Sequence, residues 1–269
     1  MSSYEDLLHA VLAISARAAE VIRQVYATNF EVDYKVGDDP VTLADREANA
    51  IICAALARLT PGVPIVAEES DPSTYVAWRG AARVWFVDPL DGTRDFVKKN
   101  GEFAVMIGLA EAGRSVLGVI EGPADRRRFV GAKGIGAFEV MDDARWKPIH
   151  VSRVTDPAEA HLVVSRSHPS PQLRAAAGRL GVKRTTEVGS AGIKAMRVAH
   201  GGADLYAHLG VAGWRWDTCA PEAIVHGAGG TVTDACGAPI DYAAAHLENS
   251  SGILVSNGFL HEAALAALK

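Results

Sequence analysis

The stretch Val84-Trp85-Phe86-Val87-Asp88-Pro89-Leu90-Asp91-Gly92-Thr93 runs four apolar residues into two aspartates three positions apart. The apolar run reads as a strand that delivers Asp88 at its C-terminal end. Pro89 stiffens the turn that follows, Asp91 returns a second carboxylate, and Gly92 lets the backbone come close to a ligand. Two carboxylates aimed at one point repel each other unless they share a proton or a cation. A hard cation such as Mg²⁺ answers that need, because it takes oxygen ligands and completes its shell with water and substrate phosphate. An Asp-Gly-Thr turn alone requires neither the second aspartate nor the strand before it.

Upstream, Pro64-Ile65-Val66-Ala67 runs into Glu68-Glu69-Ser70, again an acid where a strand ends, the edge of a sheet at which ligands bind. Paired acids are more often a solvated face, so this signal depends on the Asp88 site. Downstream, Asp217 follows Trp214-Arg215-Trp216 and precedes a helix expected over 218–228. It suits a helix N-cap and a metal ligand alike, and the two roles are compatible. Asp45 lies in Thr42-Leu43-Ala44-Asp45, a capping-box pattern, and capping is its local reading.

Around these points the first half predicts two long helices, one with Leu7, Leu8, Val11, Leu12, Ser15, Ala18, Ala19 and Ile22 at helical spacing, the other over 43–59. Strands are expected at 64–67, 84–87, 103–110, 115–120 and 128–130, in a sheet read as antiparallel. From about residue 146 the pattern alternates: strand 161–165, helix 171–180, strand 185–188, helix 193–200, strand 203–209, helix 218–228 closed by Gly229-Gly230, strands 231–233 and 252–255, helix 261–268. The expectation is an α/β protein in two packed halves. Residues 1–145 form an α+β half carrying most metal ligands, and 146–269 an α/β half carrying Asp217 and substrate-recognition residues.

With 269 residues, 49% of them hydrophobic and 22% charged, a sizeable core is assured. A net charge of −5 argues against nucleic acid, which recruits clustered Lys and Arg. Charges among the apolar residues of the first 26 positions exclude a signal-peptide core, and no apolar run nears the ~18 residues of a membrane span. A cytoplasmic location with no membrane partner is expected, with Cys53, Cys219 and Cys236 as buried reduced thiols. A homodimer is compatible with these totals.

Four motifs occur in order: Pro-Val-Thr-x-x-Asp at 40–45, Glu-Glu-Ser at 68–70, Asp-Pro-Leu-Asp-Gly-Thr at 88–93 and Trp-Asp-Thr-Cys-Ala-Pro-Glu at 216–222. Together they resemble the inositol monophosphatase superfamily of lithium-sensitive, Mg²⁺-dependent phosphatases. The stretches 226–230 and 249–254 extend the resemblance toward the C-terminus. It implies a layered αβαβα sandwich of the sugar-phosphatase type. It implies two or three Mg²⁺ ions held by Glu68, Asp88, the Leu90 carbonyl, Asp91 and Asp217, and hydrolysis by metal-activated water with no phosphoenzyme. Asp45, Thr93 and Glu68 take the catalytic roles, and Gly92, Thr93 and Asp217 contact the substrate.

Within the superfamily, Ser165-Arg166-Ser167-His168, Gly189-Ser190-Ala191-Gly192-Ile193-Lys194 and 216–222 are most similar to the 3'(2'),5'-bisphosphate nucleotidases, which convert adenosine 3',5'-bisphosphate to AMP. The similarity implies that Ser165, His168, Ser190 and Lys194 hold the nucleotide monophosphate portion, with Lys194 and His168 as cationic donors to a second phosphate. A solvated Lys194 and turn chemistry at His168-Pro169 are the plainer alternatives. Ala203-Asp204-Leu205-Tyr206 resembles the inositol-specific members, yet Ala207-His208-Leu209 lacks the acid that grips ring hydroxyls there; nor does His208 match the Arg that some nucleotidases carry near this point. Inositol monophosphatase and inositol polyphosphate 1-phosphatase activity, the latter on a ligand such as inositol 1,4-bisphosphate, remain the alternatives. An aspartyl-phosphate phosphatase is a rival, although its two acids lie two positions apart rather than three. A non-catalytic nucleotide or metal sensor is another.

Overall fold

The computed structural model describes residues 3–35, 39–75 and 78–269. Helix α1 (Tyr4–Tyr26) starts at a Ser3 capping box closed by Asp6 and buries the apolar stripe that its spacing predicts. Strands β1 (Val32–Lys35) and β2 (Asp39–Thr42), which the pattern does not announce, pair antiparallel before α2 (Leu43–Leu59).

A seven-stranded sheet then holds, in chain order across it, β3 (Ile65–Ala67), β4 (Arg83–Asp91), β5 (Ala104–Glu111), β6 (Arg114–Glu121), β7 (Arg128–Ala132), β8 (Gly136–Val140) and β9 (Trp146–Pro148). The short helix α3 (Thr93–Val97) sits between β4 and β5. The sheet is antiparallel except at one edge, where β3 and β4 run parallel. A parallel neighbour needs a crossover, and the connection over 68–82 is long enough to supply it. The consequence is functional: β3 and β4 end at the same sheet edge, so Glu68 and Asp88 emerge together.

The remaining elements are β10 (His161–Ser165), α4 (Pro171–Leu180), β11 (Arg184–Val188), α5 (Ala191–Ala199), β12 (Leu205–His208), α6 (Trp216–Gly227), β13 (Thr231–Thr233), β14 (Ile253–Ser256) and α7 (His261–Leu268). Their five strands form a second sheet in the order β11-β10-β12-β14-β13. Helix α6 starts at Trp216, so Asp217 lies inside its first turn and is not its N-cap, which is Arg215. The helix ends as expected, with Gly229 at φ +88° and Gly230 N–H donating to the Val225 carbonyl at 2.9 Å.

Alternating strand residues sort the core into layers. Trp85, Val87, Val105 and Ile107 of the first sheet pack with Leu8 of α1 and Ile52 of α2. Phe86 and Met106, from the opposite face, pack with Met196 of α5, Ile224 of α6 and Val163 and Val255 of the second sheet. The far side of that sheet, Leu162, Leu205 and Leu254, is covered by Leu173 of α4 and Ala264 of α7. The order is therefore α1α2, sheet, α5α6, sheet, α4α7, an αβαβα sandwich.

Helix α6 lies unusually close to the first sheet. Gly108, Gly118 and Gly131 are cross-strand partners in β5, β6 and β7. A Cβ on each would come within 2.6 Å of Ala220 N, 2.2 Å of Ala220 O and 2.8 Å of Ile224 Cα respectively. This file of glycines is the bed on which α6 rests, and the seating fixes where Asp217 emerges.

The thiols depart from expectation. Cys219 is buried, Cys53 half-buried and Cys236 exposed, the last because it sits in a surface turn where its N–H bonds Asp234 Oδ1 at 2.9 Å. None of the three pairs. Among the described residues no helix is long and apolar enough to cross a membrane.

Candidate active site

Strand β4 continues through the Asp-Pro-Leu-Asp segment instead of turning before it. Its pairing with β5 steps from Asp88–Met106 to Asp91–Ala104, three residues against two, and this bulge returns Asp91 toward Asp88. The Leu90 N–H donates to Asp88 Oδ1 at 2.9 Å and fixes the first carboxylate. With Asp217 arriving on α6, one oxygen from each of Asp88, Asp91 and Asp217 lies within 4.8 Å of the others. Burial first, then the neighbouring acids, pushes Asp88 and Asp217 well above the usual carboxylate range. Three hard oxygen donors crowded in a desolvated site suit a divalent cation, which relieves their repulsion without the need for a proton.

Glu68 stands beside this trio and lines the same cleft, but its Oε1 lies 3.2 Å from Lys35 Nζ. Burial pushes its carboxyl up to about 7 against the opposing pull of Lys35. Lys35 also bonds Glu69; burial would depress its ammonium, yet the two glutamates outweigh that and hold it above its ordinary value. Asp45 closes the capping box of α2, accepting at Oδ2 from the Thr42 hydroxyl at 2.6 Å and the Thr42 N–H at 2.8 Å. Its Oδ1 is free of that duty and accepts from the Thr93 hydroxyl at 2.9 Å, which also lies 3.1 Å from the Leu90 carbonyl. Burial pushes Asp45 up to about 6. Gly92, the N-cap of α3, sits at φ +94°, and a Cβ there would meet the Glu102 carbonyl at 2.8 Å.

The cleft, about 370 Å³, is lined from the other side by Ser165, His168, Ser190, Lys194, Tyr206 and His208. The Ser190 hydroxyl and the Gly192 N–H both donate to Asp91 Oδ2, the latter at 2.7 Å. Lys194 is buried, not solvated: its Nζ donates to the Ser190 carbonyl at 2.8 Å and the Gly189 carbonyl at 3.3 Å, and lies 5.1 Å from the Tyr206 ring centre. Burial brings it down to about 8, which leaves it protonated at neutral pH. His168 and His208, ring centres 5.9 Å apart, are both pushed below the ordinary histidine value. Burial is the main cause in each, followed by nearby positive groups. His168 is therefore a neutral donor at pH 7 rather than the cation expected from its type. The Ser165 hydroxyl accepts from the backbone N–H of His168 at 3.2 Å.

Sequence reasoning missed the brace behind this wall. Arg166 Nη1 bonds Asp95 Oδ1 at 2.9 Å and pairs with Glu102 Oε2 at 2.6 Å, while Glu102 Oε2 accepts from Gly189 N–H at 2.7 Å. No spacing signals this brace, because its members lie on separate elements and look like ordinary surface charges.

The model of the inositol monophosphatase family matches residues 3–269. The 3'(2'),5'-bisphosphate nucleotidase CysQ of Salmonella typhimurium is 39% identical over 238 residues, covering 88% of this chain and 94% of that protein. Among solved structures, CysQ from Bacteroides thetaiotaomicron is 30% identical with a TM-score of 0.79, covering 94% of this chain and 97% of that one. An inositol monophosphatase from Anabaena is 26% identical with a TM-score of 0.80, covering 98% and 95%.

Proposed function

The chain belongs to the inositol monophosphatase family, and from that premise we propose that it is a phosphomonoesterase that converts adenosine 3',5'-bisphosphate to AMP and phosphate. The observation that carries the reading is the convergence of Asp88, Asp91 and Asp217 in a cleft whose opposite wall presents a buried, protonated Lys194. The nucleotidases among its relatives give the substrate class.

Asp88, Asp91 and Asp217 would hold Mg²⁺, with Glu68 and the Leu90 carbonyl as further oxygen donors and two or three ions as the complement. Once bound, the cation supplies charge neutralisation for the phosphate and a lowered pKa for water. The chain's own residues do the rest. The Thr93 hydroxyl has one proton to give, to Asp45 or to the Leu90 carbonyl, and its lone pairs remain to accept from a water and orient it. Asp45, ionised above about pH 6, stands one hydrogen bond behind to receive the proton. Gly92 and Thr93 N–H groups at the start of α3 serve the phosphate being transferred. Lys194, Ser190, Ser165 and the neutral His168 serve the second phosphate and the sugar. Ala207-His208-Leu209 lacks the acid with which inositol-specific members grip ring hydroxyls, which favours the nucleotide over inositol.

Steady-state turnover of adenosine 3',5'-bisphosphate, inositol 1-phosphate and glycerol 2-phosphate tests the reading. The bisphosphate should give the highest kcat/KM, Lys194→Ala should depress it far more than the glycerol ester, and lithium should inhibit where sodium does not. A preference for inositol 1-phosphate overturns the nucleotidase assignment and leaves only the phosphatase class.

A further inference from the structure

Most of the cleft wall near the carboxylates is polar, yet its rim carries a large aromatic side chain in solvent. Trp214 is 45% exposed, while Trp216, two residues on, is only 7% exposed. Their rings stack with centres 5.3 Å apart and planes 14° from parallel, and both line the cleft. Trp216 thus covers part of the Trp214 indole and leaves much of the rest to the solvent of the cleft. An indole left in water forfeits burial that the fold could have given it.

Its position is also closely tied to the site. The Trp214 N–H donates to Asp217 Oδ2 at 2.6 Å, and its carbonyl accepts from Asn249 Nδ2 at 2.6 Å. A bridge to Glu248 holds the same residue on the far side. Asn249 is itself buried, so the backbone beneath the ring is anchored at both ends. The backbone that carries the ring is therefore fixed relative to Asp217, and the stacking on Trp216 holds the ring itself, as a subsite needs if it is to bind one end of a substrate whose other end reacts.

We propose that Trp214 is the nucleobase platform of this cleft, with Trp216 as the rigid support behind it. This rests on the nucleotidase reading above and specifies how the base, as distinct from the phosphates, is recognised. Every base has a π-face, so an indole platform reads the presence of a base and tolerates its identity. The pair of rings is preorganised by its own stacking, which spares the substrate the cost of ordering them.

The test compares kcat/KM for adenosine 3',5'-bisphosphate with that for ribose 3,5-bisphosphate, which lacks the base, in the wild type, Trp214→Ala, Trp214→Leu and Trp214→Phe. The wild type should favour the nucleotide. Trp214→Ala should reduce that preference roughly 5- to 150-fold, chiefly through KM. Trp214→Leu, which keeps an apolar side chain without a π-face, should lose it too, whereas Trp214→Phe should retain most of it. A preference unchanged in Trp214→Ala, kept by Trp214→Leu, or lost equally in Trp214→Phe overturns the platform while the nucleotidase reading stands. A wild type that does not hydrolyse the nucleotide overturns the reading and the platform together, before any variant is made.

Discussion

Ser190 donates its hydroxyl to Asp91 Oδ2 from a backbone at φ 49°, ψ 127°, a region that residues other than glycine rarely occupy. Three contacts hold it there: Glu102 on the Gly189 N–H, the Ile193 N–H on the Ser190 hydroxyl at 3.1 Å, and Lys194 on the Ser190 carbonyl. The strain is local, and what it secures is the orientation of Asp91.

Ser190→Gly separates these two effects. Glycine adopts the conformation freely and is tolerated at an N-cap at a cost of a few tenths of a kcal/mol, about. The melting temperature without metal should hold or rise, while Mg²⁺ binding, read by titration calorimetry, should weaken roughly 10- to 100-fold. Wild-type affinity in this variant would show that Asp91 needs no help from Ser190.

Asp91→Asn keeps the acceptor for Ser190 and Gly192 but removes a charge from the trio. Turnover should fall by more than about a hundredfold at saturating Mg²⁺, with the metal-free fold as stable as before or more so, since the remaining acids repel less. Phosphate release and thermal melts check both halves of the expectation, and near-normal turnover would remove Asp91 from the site.

Glu222 offers a pH test away from the cleft. It is buried, accepts from the Tyr242 hydroxyl at 2.6 Å, and is pushed by that burial from 4.5 up to about 7. Its proton is bound more tightly in the folded state, so ionising it costs stability; the penalty is absent below about pH 4, grows as pH rises to 7, and is complete above. His226, 3.8 Å away, has a lowered value and offers no charge in the upper part of that window. Glu222→Gln should therefore raise the melting temperature most at pH 8 and least near pH 5. A pH-independent difference would mean that Glu222 titrates normally.

Gly118→Ala probes the bed of α6. The added Cβ would fall 2.2 Å from the Ala220 carbonyl, a backbone atom that cannot rotate away. A loss of roughly 1–3 kcal/mol in urea unfolding is expected, with activity reduced as Asp217 shifts. Gly178→Ala is the control, because nothing lies within 4 Å of a Cβ there and helix α4 favours alanine.

The acids and the long periodic helices were legible in the sequence because each carries a local signature: an apolar run ending in Asp88, a stripe from Leu7 to Ile22. The pieces that needed partners were not. Strands β8 and β9 are short and only partly buried, so their alternation is weak. Gly108, Gly118 and Gly131 look like interruptions in one dimension and become a contiguous bed only once β5, β6 and β7 pair. Asp217 reads as a cap and a ligand alike because aspartate favours N-caps and the helix is expected only from 218, whereas Trp216 already belongs to the helix. The lowered value of His168 depends on burial that no neighbour in sequence reports.

The placement of Asp217 on α6, opposite two aspartates of β4, also bears on how long a folded molecule lasts. If the three carboxylates come together only after the helix has settled on its glycines, their contacts, remote along the chain, belong to the last part of folding. A cation gripping all three would then find no complete site in the transition state. It should leave the refolding rate alone and retard unfolding instead, a latch applied to the finished molecule. Survival against a protease would then follow free Mg²⁺, wherever opening of the native state limits cleavage.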